Sequence, residues 1–418
     1  MGGLSPRPRL LFLCQTLPYP PDGGVWIRTY HVLRLLAQAF DVTALCFERS
    51  HSSAAGAETT ERGLDALGQF AAVETFSIPQ KHDRLRFAWD HFRSATLGRV
   101  YTEYLYDSRD FRRRLHELLF TERFDLVHVD SLVDLAGYLE LFDGTNVVCV
   151  HHAVESALLR SRAAVDSNRW RGGYLRYQSR LMEDVERRWC SRVALNVAVS
   201  PADSIELQRL VPASRVVIVP NGVDIDEFRP GPQDGQGVAY IGGLNWFPNR
   251  DALDFYCEAV LPHIQVTGVD VPARWIGQAS ADEQQLYRSR YGVELTGYLP
   301  DVRPVMQQAR CHIVPLRAGG GTRLKILNSW AMGKAVVSTS LGCEGLDAID
   351  GQNILIRDDP RAFGEAVVEV LRDDELRRRL EAAGRATAEA RYSWTHIGKQ
   401  MIDIYMGLTN ARDRAAIA

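Results

Sequence analysis

The sequence lacks close cysteine pairs, long apolar runs and an excess of one charge. Its seven cysteines lie far apart in 418 residues, which argues against a disulfide framework and a zinc site and indicates a reducing compartment. The apolar run near the N-terminus is too short for a signal peptide, and no other run could span a bilayer. A formal net charge of -3 gives no overall attraction to nucleic acid or membrane. We therefore expect a cytoplasmic protein without nucleic-acid partners, whose binding sites are local.

The length and the apolar pattern indicate two domains. A chain of 418 residues with 46% hydrophobic residues can bury two cores. Short β-branched apolar runs alternate with helical stretches, which is typical of parallel sheets covered by helices on both faces. Proline, glycine and polar residues between positions 200 and 230 separate two sets of runs. The sequence predicts two doubly wound α/β domains facing a cleft, residues 1–210 and 211–390, followed by a helical segment over 391–418.

Two stretches of the first half predict ligand contacts at strand ends. After the run LLFLCQ, Gly23 and Gly24 leave backbone amides open at a helix start, where an anion is favoured. The run NVVCV delivers His151 and His152 to the end of a buried strand. A histidine there can donate a hydrogen bond to a hydroxyl or to charge that develops in a reaction. The simpler alternatives are a plain strand-to-helix turn and a loop histidine satisfied by backbone.

The strongest chemical signal is GGGTRLKILNSWAMGK, which begins at Gly319 between the strand-like runs CHIVPL and AVVSTS. Glycines let the backbone approach an anion, helix amides point at it, and Arg323 and Lys325 add positive charge. The spacing fits neither a P-loop nor a dinucleotide fingerprint. Because bases at a helix start oppose the helix dipole, a purely structural role is harder to motivate. The stretch predicts a diphosphate site in the second half.

The second half contains two weaker signals for ligand-binding residues. Asn221 and Gly222 predict a turn, since both residue types tolerate left-handed backbone, and a simple linker turn is the alternative. Glu344 follows another strand end, where its carboxylate could accept hydrogen bonds from ligand hydroxyls. A solvated loop acid would look the same in sequence.

Several long stretches of the second half, taken in order, resemble a known family. They are VVIVPNGVDIDEFRP, IGGLNWFPNRDALDFYCEAVLP and LTGYLPDVRPVMQQARCHIVPLRAGGGTRLKILNSWAMGKAVVSTSLGCEGL. Together they resemble the retaining family 4 glycosyltransferases of the GT-B fold, in the subgroup with a GGGTRLKIL loop. PPDGGVWIRTYHVLRLLA, HHAVES and VSPADSIEL extend the resemblance into the first half.

The resemblance implies two Rossmann-like domains, with the nucleotide-sugar donor in the second, the acceptor in the first, and a last helix that crosses back to the first. It implies transfer of a hexose-type sugar, with retention of configuration, from a UDP- or GDP-type donor. The acceptor hydroxyl would belong to a glycan, a lipid-linked molecule or a small molecule, as in polysaccharide or other glycoconjugate synthesis. Neither a metal nor another cofactor is expected.

Carried over residue by residue, the resemblance places catalytic roles on Arg323 and Lys325 at the diphosphate and on His151 or His152 at the transferred sugar. The choice between the two histidines stays open. The implied substrate-binding residues are Gly23, Gly24, Asn221, Gly243, Gly319, Gly320, Gly321, Thr322, Asn328 and Glu344.

The chain departs from the family pattern at the donor site. Many relatives carry two glutamates eight positions apart, and Gly320 and Asn328 stand in these places. Gly243 and Pro248 stand in the approximate places of a usual arginine and lysine. Because asparagine carries no charge, donor binding should weaken by about 1 to 3 kcal/mol unless another residue substitutes. A weakened, glycosyltransferase-like binding or partner subunit is therefore the alternative, and a nucleotide-sugar epimerase is a weaker one.

Parts of the first half are locally basic. Nine arginines face four acids between Ser156 and Arg192, and ten bases face seven acids between Lys81 and Arg123. Such helices could lie on the inner face of an anionic membrane and meet a lipid-linked acceptor. A solvated, salt-bridged helical face is the alternative.

Overall fold

The computed structural model describes residues 7–21, 23–48, 54–79, 84–142, 144–165, 168–231, 235–319 and 323–417. The chain divides into two compact units. The first comprises Met1–Pro220 together with Gly398–Ala418, and the second comprises Asn221–Ile397. Across the described ranges, no helix is both long and apolar enough to cross a membrane.

Within the described residues, the first unit contains a seven-stranded sheet. Its strands are β1 (Arg9–Cys14), β2 (Asp41–Phe47), β3 (Ala72–Phe76), β4 (Leu126–Val129), β5 (Val147–His151), β6 (Leu195–Ala198) and β7 (Val216–Ile218). The strands are parallel and ordered β3-β2-β1-β4-β5-β6-β7. Strands β4, β5 and β6 are buried along their whole length, which explains why they appear in the sequence as continuous apolar runs.

Helices connect the strands of the first unit. They are α1 (Gly24–Leu36), α2 (Ala54–Gly68), α3 (Arg84–Leu97), α4 (Tyr101–Leu105), α5 (Arg109–Thr121), α6 (Leu132–Leu135), α7 (Glu155–Val165), α8 (Arg169–Cys190) and α9 (Pro201–Leu210), with a 3-10 turn at Ala136–Leu141. The local sequence determines where several of these helices begin. Ser108 caps α5, and Ser200 caps α9 just before Pro201 at the first helical position.

In the described part of the second unit, a six-stranded parallel sheet is formed by β8 (Val238–Ile241), β9 (Ala273–Ile276), β10 (Val293–Leu295), β11 (Cys311–Val314), β12 (Ala335–Ser338) and β13 (Leu355–Ile356). The strand order is β10-β9-β8-β11-β12-β13.

The helices of the second half are α10 (Phe247–Phe255), α11 (Leu261–Gln265), α12 (Ala281–Tyr291), α13 (Arg303–Gln307), α14 (Leu324–Ala331), α15 (Pro360–Arg372), α16 (Asp374–Thr387) and α17 (Trp394–Ile417). A 3-10 turn spans Leu341–Cys343, and π-helical turns span Tyr256–Val260 and Ala388–Tyr392. Helix α17 begins in the second unit and continues from Gly398 in the first.

The predicted pair of doubly wound parallel sheets is confirmed, but the first sheet extends further than its predicted boundary at residue 210. Strand β7 pairs with β6 through Asn196 to Val216 and Ala198 to Ile218, so it is the edge strand of the first sheet and does not open the second set. A three-residue strand gains most of its backbone hydrogen bonds by adding to an existing edge, and nothing in its composition says which sheet offers one.

The predicted turn at Asn221 and Gly222 is wrong, because neither residue lies in a turn. Neither adopts the left-handed backbone that both residue types tolerate. Every described non-glycine residue has negative φ, and Gly222 is not among the glycines with positive φ. Glycine is needed there for space: a Cβ would lie 2.7 Å from the Trp394 ring and 3.0 Å from the carbonyl oxygen of Tyr392. Asn221 is buried.

Candidate functional site

The candidate site of the second unit lies at the carboxyl edge of its sheet. Strands β8, β11 and β12 are neighbours, and three loops follow them. These loops contain Gly243 after β8, Gly319 after β11, and Glu344 after β12. Because the three strands are adjacent, the topology brings together three predicted positions that are distant in sequence. Ligands of open parallel sheets bind at this edge.

The loop after β11 is held by its own arginine. Gly319 has φ of 101°, and a Cβ there would lie 3.0 Å from Pro248, so both backbone and space require glycine. Arg323 immediately precedes α14; its Nε donates to the carbonyl oxygen of Leu341 (3.1 Å) and its Nη2 to that of Gly319 (3.0 Å). Its side chain is only 6% exposed, and burial lowers its pKa. The guanidinium thus ties two loops of the site together while it keeps its charge.

Lys325 lies one residue inside α14 and its ammonium points to β8 and α10. Its Nζ donates to the hydroxyl of Tyr240 (2.5 Å) and to Oδ1 of Asn249 (3.1 Å), and lies 4.0 Å from the centre of the Tyr240 ring. Burial, followed by the charge of Arg323, lowers the pKa of Lys325 to about 7. Two basic side chains, Arg323 and Lys325, therefore lie at the start of α14, where the helix amides add further positive potential.

The remaining predicted positions of this unit differ in their surroundings. Asn328 is half-buried on α14, one turn beyond Lys325, and its side chain forms no hydrogen bond with the described residues. Glu344 is half-exposed, and its Oε2 lies 3.8 Å from Nη2 of Arg323. A Cβ on Gly243 would lie 2.7 Å from the side chain of Asn245. Gly320, Gly321 and Thr322 lie outside the described residues.

In the first unit, the predicted anion-binding turn precedes α1. Gly23 is the extended residue before the helix, with φ of -140° and ψ of 155°, and the exposed Gly24 is the first helical residue. No acidic residue lies in the first turn of α1. Binding of an anion by the amides of this turn stays a prediction.

A buried carboxylate that the sequence analysis did not single out lies on the same sheet edge. Asp130 follows β4, and its Oδ2 accepts hydrogen bonds from Thr29 of α1 (2.6 Å) and from Nε2 of His152 (3.2 Å). Its Oδ1 lies 3.4 Å from Nε2 of His128. Burial favours a raised pKa for Asp130, but the charges and hydrogen bonds of His152 and His128 outweigh it and hold the pKa well below its usual range.

The two adjacent histidines occupy different environments. His151, the last residue of β5, is buried and its Nε2 lies 3.0 Å from Oδ1 of Asn196 on β6. Burial lowers its pKa to about 4, so its ring is neutral. His152 lies beyond the strand, with a side chain 11% exposed and Nε2 at Asp130. Only the second of the pair combines a polar partner at the sheet edge with access to solvent.

A cavity of about 1080 Å³ lies at the carboxyl ends of β2 and β3 in the first unit. Asp90 of α3 is fully buried at this cavity, 3.6 Å from Arg86 and 3.5 Å from Arg93. The lining combines these paired charges with the exposed ring of Trp89. Such a lining suits a polar ligand with many hydroxyls, since it offers both donors and acceptors.

Three residues of the two sites, Asp130, Tyr240 and Asn249, were not predicted from the sequence. Asp130 ends the run FDLVHVD, and its position after a strand was the available signal. Nothing in the sequence links Tyr240 or Asn249 to Lys325, because the contact depends on how α10 and α14 pack. In the described ranges, no group of three or more histidine, cysteine, aspartate or glutamate side chains is arranged to hold a metal ion.

Two family models match the chain, one in each half. The model described as Glycosyltransferase Family 4 matches residues 22–227, and the model described as Glycosyl transferases group 1 matches residues 235–373.

Curated relatives match part of the chain. The phosphatidyl-myo-inositol mannosyltransferase of Mycobacterium leprae is 27% identical over 254 residues, which are 57% of this chain and 66% of that protein. The protein of the same name from Mycobacterium tuberculosis strain H37Rv is 27% identical over 49% of this chain and 57% of its own length. This chain thus matches no more than 66% of the length of either relative.

Solved structures match nearly the whole chain. Anabaena Alr3699/HepE in complex with UDP has a TM-score of 0.66 at 14% identity and covers 96% of this chain and 100% of its own. WaaG, a glycosyltransferase involved in lipopolysaccharide biosynthesis, has a TM-score of 0.64 at 15% identity, with coverages of 95% and 100%. The chain has the GT-B fold of two Rossmann-like units, as predicted. The family models and these neighbours together support a glycosyltransferase of the family 4 type.

Proposed function

We propose that the protein is a retaining glycosyltransferase that moves a hexose-type sugar from a nucleoside diphosphate to an acceptor hydroxyl. The observation that carries the proposal is the pair of basic side chains, Arg323 and Lys325, at the start of α14 on the carboxyl edge of the second sheet. The family models support the class of reaction, and complexes of a structural neighbour with UDP and UDP-glucose support a nucleotide-sugar donor.

In the proposed reaction, the second unit stabilises negative charge on the leaving group. In a retaining transfer of this kind, the diphosphate leaves the anomeric carbon while the acceptor hydroxyl arrives on the same face. Negative charge grows on the leaving diphosphate, and the cations and helix amides at the start of α14 stabilise it. Because these groups supply the positive charge, the proposal needs neither a metal ion nor another cofactor.

On the side of the first unit, we assign contact with the transferred sugar to His152 and a structural role to His151. The Nε2–H of His152 donates to Asp130, which leaves Nδ1 of the ring for a hydroxyl of the sugar. His151 is buried against Asn196 and is satisfied there. Replacing His152 by alanine should lower transfer, whereas His151→Asn should mainly lower stability.

A screen of nucleotide sugars by thermal shift, followed by transfer and hydrolysis assays, tests the proposal. The donor that binds the folded protein should raise its melting temperature, because ligand binding to the native state adds to its stability. That donor should then be turned over in the presence of glycan or lipid-linked acceptors. Nucleotide binding without turnover of any nucleotide sugar would contradict the proposal.

Asn328 favours a second candidate, a protein that binds nucleotide but has lost turnover and acts as a partner subunit. Its side chain is half-buried on α14 and cannot supply the charge of the family's glutamate. The same assays separate the two candidates, since the second predicts binding with no transfer.

For the acceptor side, we propose that the first unit contacts an anionic membrane carrying a lipid-linked acceptor. Leu85, Trp89 and Phe92 recur at helical spacing on α3 and are 83%, 58% and 57% exposed. Helix α8 packs against α3, with His91 Nδ1 2.6 Å from the hydroxyl of Tyr174. We call the exposed side chains of these two helices the α3–α8 face.

Near its start, α8 adds an aromatic anchor and positive charge to this face. Trp170 is 91% exposed and is followed by the exposed Arg171, Arg176 and Arg180. Exposed aromatic side chains beside arginines suit the interface of an anionic bilayer. The adjacent cavity would receive the polar headgroup of the acceptor, with Trp89 at its rim.

Co-sedimentation with vesicles of phosphatidylcholine with and without phosphatidylglycerol tests the α3–α8 face. Binding should require the anionic lipid and should weaken as salt rises. The double substitution Trp89→Ser and Trp170→Ser should reduce binding about tenfold, since aromatic side chains leave the interface. Phe120→Ser is the matched control, because Phe120 is 93% exposed on α5, outside the face. Equal losses in both variants, or binding to neutral vesicles alone, would contradict the membrane proposal.

A further inference from the structure

The lysine of the candidate donor site is enclosed by a network that also fixes the glycine loop after β8. The hydroxyl of Tyr240 donates to Oδ1 of Asn249 (2.6 Å), and both oxygens accept from Lys325. The Nδ2 of Asn249 donates to the carbonyl oxygen of Gly243 (2.9 Å). Tyr240 is itself immobilised by stacking on Trp275, with 3.9 Å between ring centres. The network therefore connects α14, α10 and the end of β8.

The partners of Lys325 are neutral. Tyr240 and Asn249 are buried, and they offer an ammonium group two oxygen acceptors and a ring face but no negative charge. The nearby guanidinium of Arg323 acts against a second positive charge, and burial acts in the same direction. A diphosphate would bring the negative charge that this network lacks.

We propose that Tyr240 and Asn249 are positioning residues that hold Lys325 ready to take up a proton from solvent when the donor diphosphate binds. In the step, the neutral amine binds one proton and becomes an ammonium ion, and no other bond is made or broken. The inference rests on the proposed function, since it requires a diphosphate donor at this site. It adds two residues and a dependence on pH to that function.

The groups around Lys325 permit this assignment. Among the described residues, the titratable and charged groups that contact or shift Lys325 are Tyr240 on β8 and Arg323 before α14. The pKa of Tyr240 is raised by burial, so it stays neutral. Three carboxylates of this unit have arginine partners: Glu344 faces Arg323, Asp251 pairs with Arg317, and Glu283 pairs with Arg250.

The sign of the pH dependence follows from the pKa of about 7 for Lys325. Below this pH the free protein already carries the ammonium ion, so donor binding takes up few protons. Above it the free amine is neutral and the bound form is charged, so binding takes up nearly one proton and weakens as pH rises. Between about pH 7 and 8.5 the dissociation constant should rise about tenfold.

Calorimetric titration in buffers of different ionisation enthalpy measures this uptake. The probe is UDP-glucose, or the GDP-hexose that the thermal-shift screen selects. A nucleotide sugar is preferred to UDP because its diphosphate is a diester, whose charge does not change in this range. Wild type should take up close to one proton at about pH 8 and few at about pH 6.

Three variants distinguish positioning from a structural role. Lys325→Arg carries a permanent charge and should bind without proton uptake. Asn249→Asp places a carboxylate at the ammonium, keeps it charged in the free protein, and should abolish uptake at about pH 8. Tyr240→Phe removes one acceptor of the charged form and should move the midpoint of uptake to lower pH.

The outcomes are separable. If the nucleotide sugar binds wild type with no uptake at about pH 8, or if Lys325→Arg retains the wild-type uptake, the inference is overturned while the proposed function stands. If no nucleotide sugar binds wild type, both are overturned. If the two network variants leave uptake unchanged, Tyr240 and Asn249 are not positioning residues.

Discussion

The two units have the same kind of sheet and carry polar clusters of opposite charge at corresponding edges. In the first unit a buried anion, Asp130, is held by Thr29 and two histidines. In the second unit two basic side chains, Arg323 and Lys325, are held by carbonyl oxygens and neutral side chains. The buried Arg28 contributes opposite charge near Asp130, and the half-exposed Glu344 lies 3.8 Å from Arg323.

The difference shows how one architecture provides two kinds of binding surface. Parallel strands bring their carboxyl ends to one edge, and the chemistry of that edge depends on the few residues that follow each strand. A cationic edge suits a phosphate ligand, whereas a carboxylate with a histidine suits hydroxyls. Substitutions at each edge test that contrast.

Arg323→Ala should remove the permanent positive charge of the second edge. We expect nucleotide binding and turnover to fall at least about 100-fold, because a charge-assisted contact and the tie between Gly319 and Leu341 are both lost. Calorimetry and steady-state kinetics measure the change. Arg317→Ala is the matched control, since Arg317 lies on the same loop but is exposed and paired with Asp251. Similar losses in the two variants would contradict the assignment.

Asp130→Asn should remove the anion of the first edge with little change in shape. We expect the free energy of unfolding to fall by about 3 kcal/mol, because Thr29 and two histidines lose a buried charged acceptor. Urea denaturation measures the loss. Asp110→Asn, at an exposed carboxylate of α5, should change stability by less than about 0.5 kcal/mol. An Asp130→Asn protein as stable as wild type would show that the cluster needs no charge.

Both units should lose stability on mild acidification. Burial lowers the pKa values of His151 in the first unit and His312 in the second to about 4. The unfolded chain binds these protons near pH 6.5 and the folded chain resists them, so stability present above pH 6.5 is lost as pH falls. The loss is about 2 kcal/mol for each histidine at pH 5.

Amide hydrogen exchange at pH 7 and 5, corrected for intrinsic exchange rates, shows which strands lose stability. Peptides of β5 and β11 should both exchange faster at pH 5. The first unit should lose more, because burial also lowers the pKa of His128. The lowered pKa of Asp130 does not contribute in this window, since its stabilising effect is lost only below the ordinary pKa of an aspartate. Unchanged exchange would argue that the histidines are not held neutral.

Asn328→Glu should strengthen the second edge by restoring a carboxylate where the family has one. We expect nucleotide binding to tighten about tenfold, since a carboxylate accepts from two ribose hydroxyls. Asn328→Gln is the control, because it adds length without charge. No change, or weaker binding, with glutamate would show that the ribose is held elsewhere.

The sequence predicted the order of strands and helices better than it predicted which strands pair. The runs CHIVPL and AVVSTS and the glycines at Gly319 were sufficient to place a strand, a loop and a helix in order, because local composition determines them. The start of α1 after Gly23 was predicted for the same reason. The edge position of β7 was not, because a short apolar strand can pair with any free edge.

Within the candidate sites, sequence could name a charged residue but could not say what holds it. Arg323 and Lys325 have similar positions in the sequence, yet one ties two loops and the other enters a network with Tyr240 and Asn249. The choice between His151 and His152 likewise stayed open in the sequence. Side-chain alternation along β5 and the adjacent β6 placed His151 against Asn196, which left His152 at the edge.

Periodicity, glycine spacing and charge are local properties, so they were sufficient to predict the fold class, the division into two sheets and the basic stretch at the start of α14. The environment of each charge depends on tertiary packing. Asp130 gains its histidines because β4 and β5 are neighbours, and Lys325 gains neutral, buried partners because α14 packs near β8 and α10. Burial and the sign of neighbouring charges set the protonation of these groups, and both depend on residues distant in sequence.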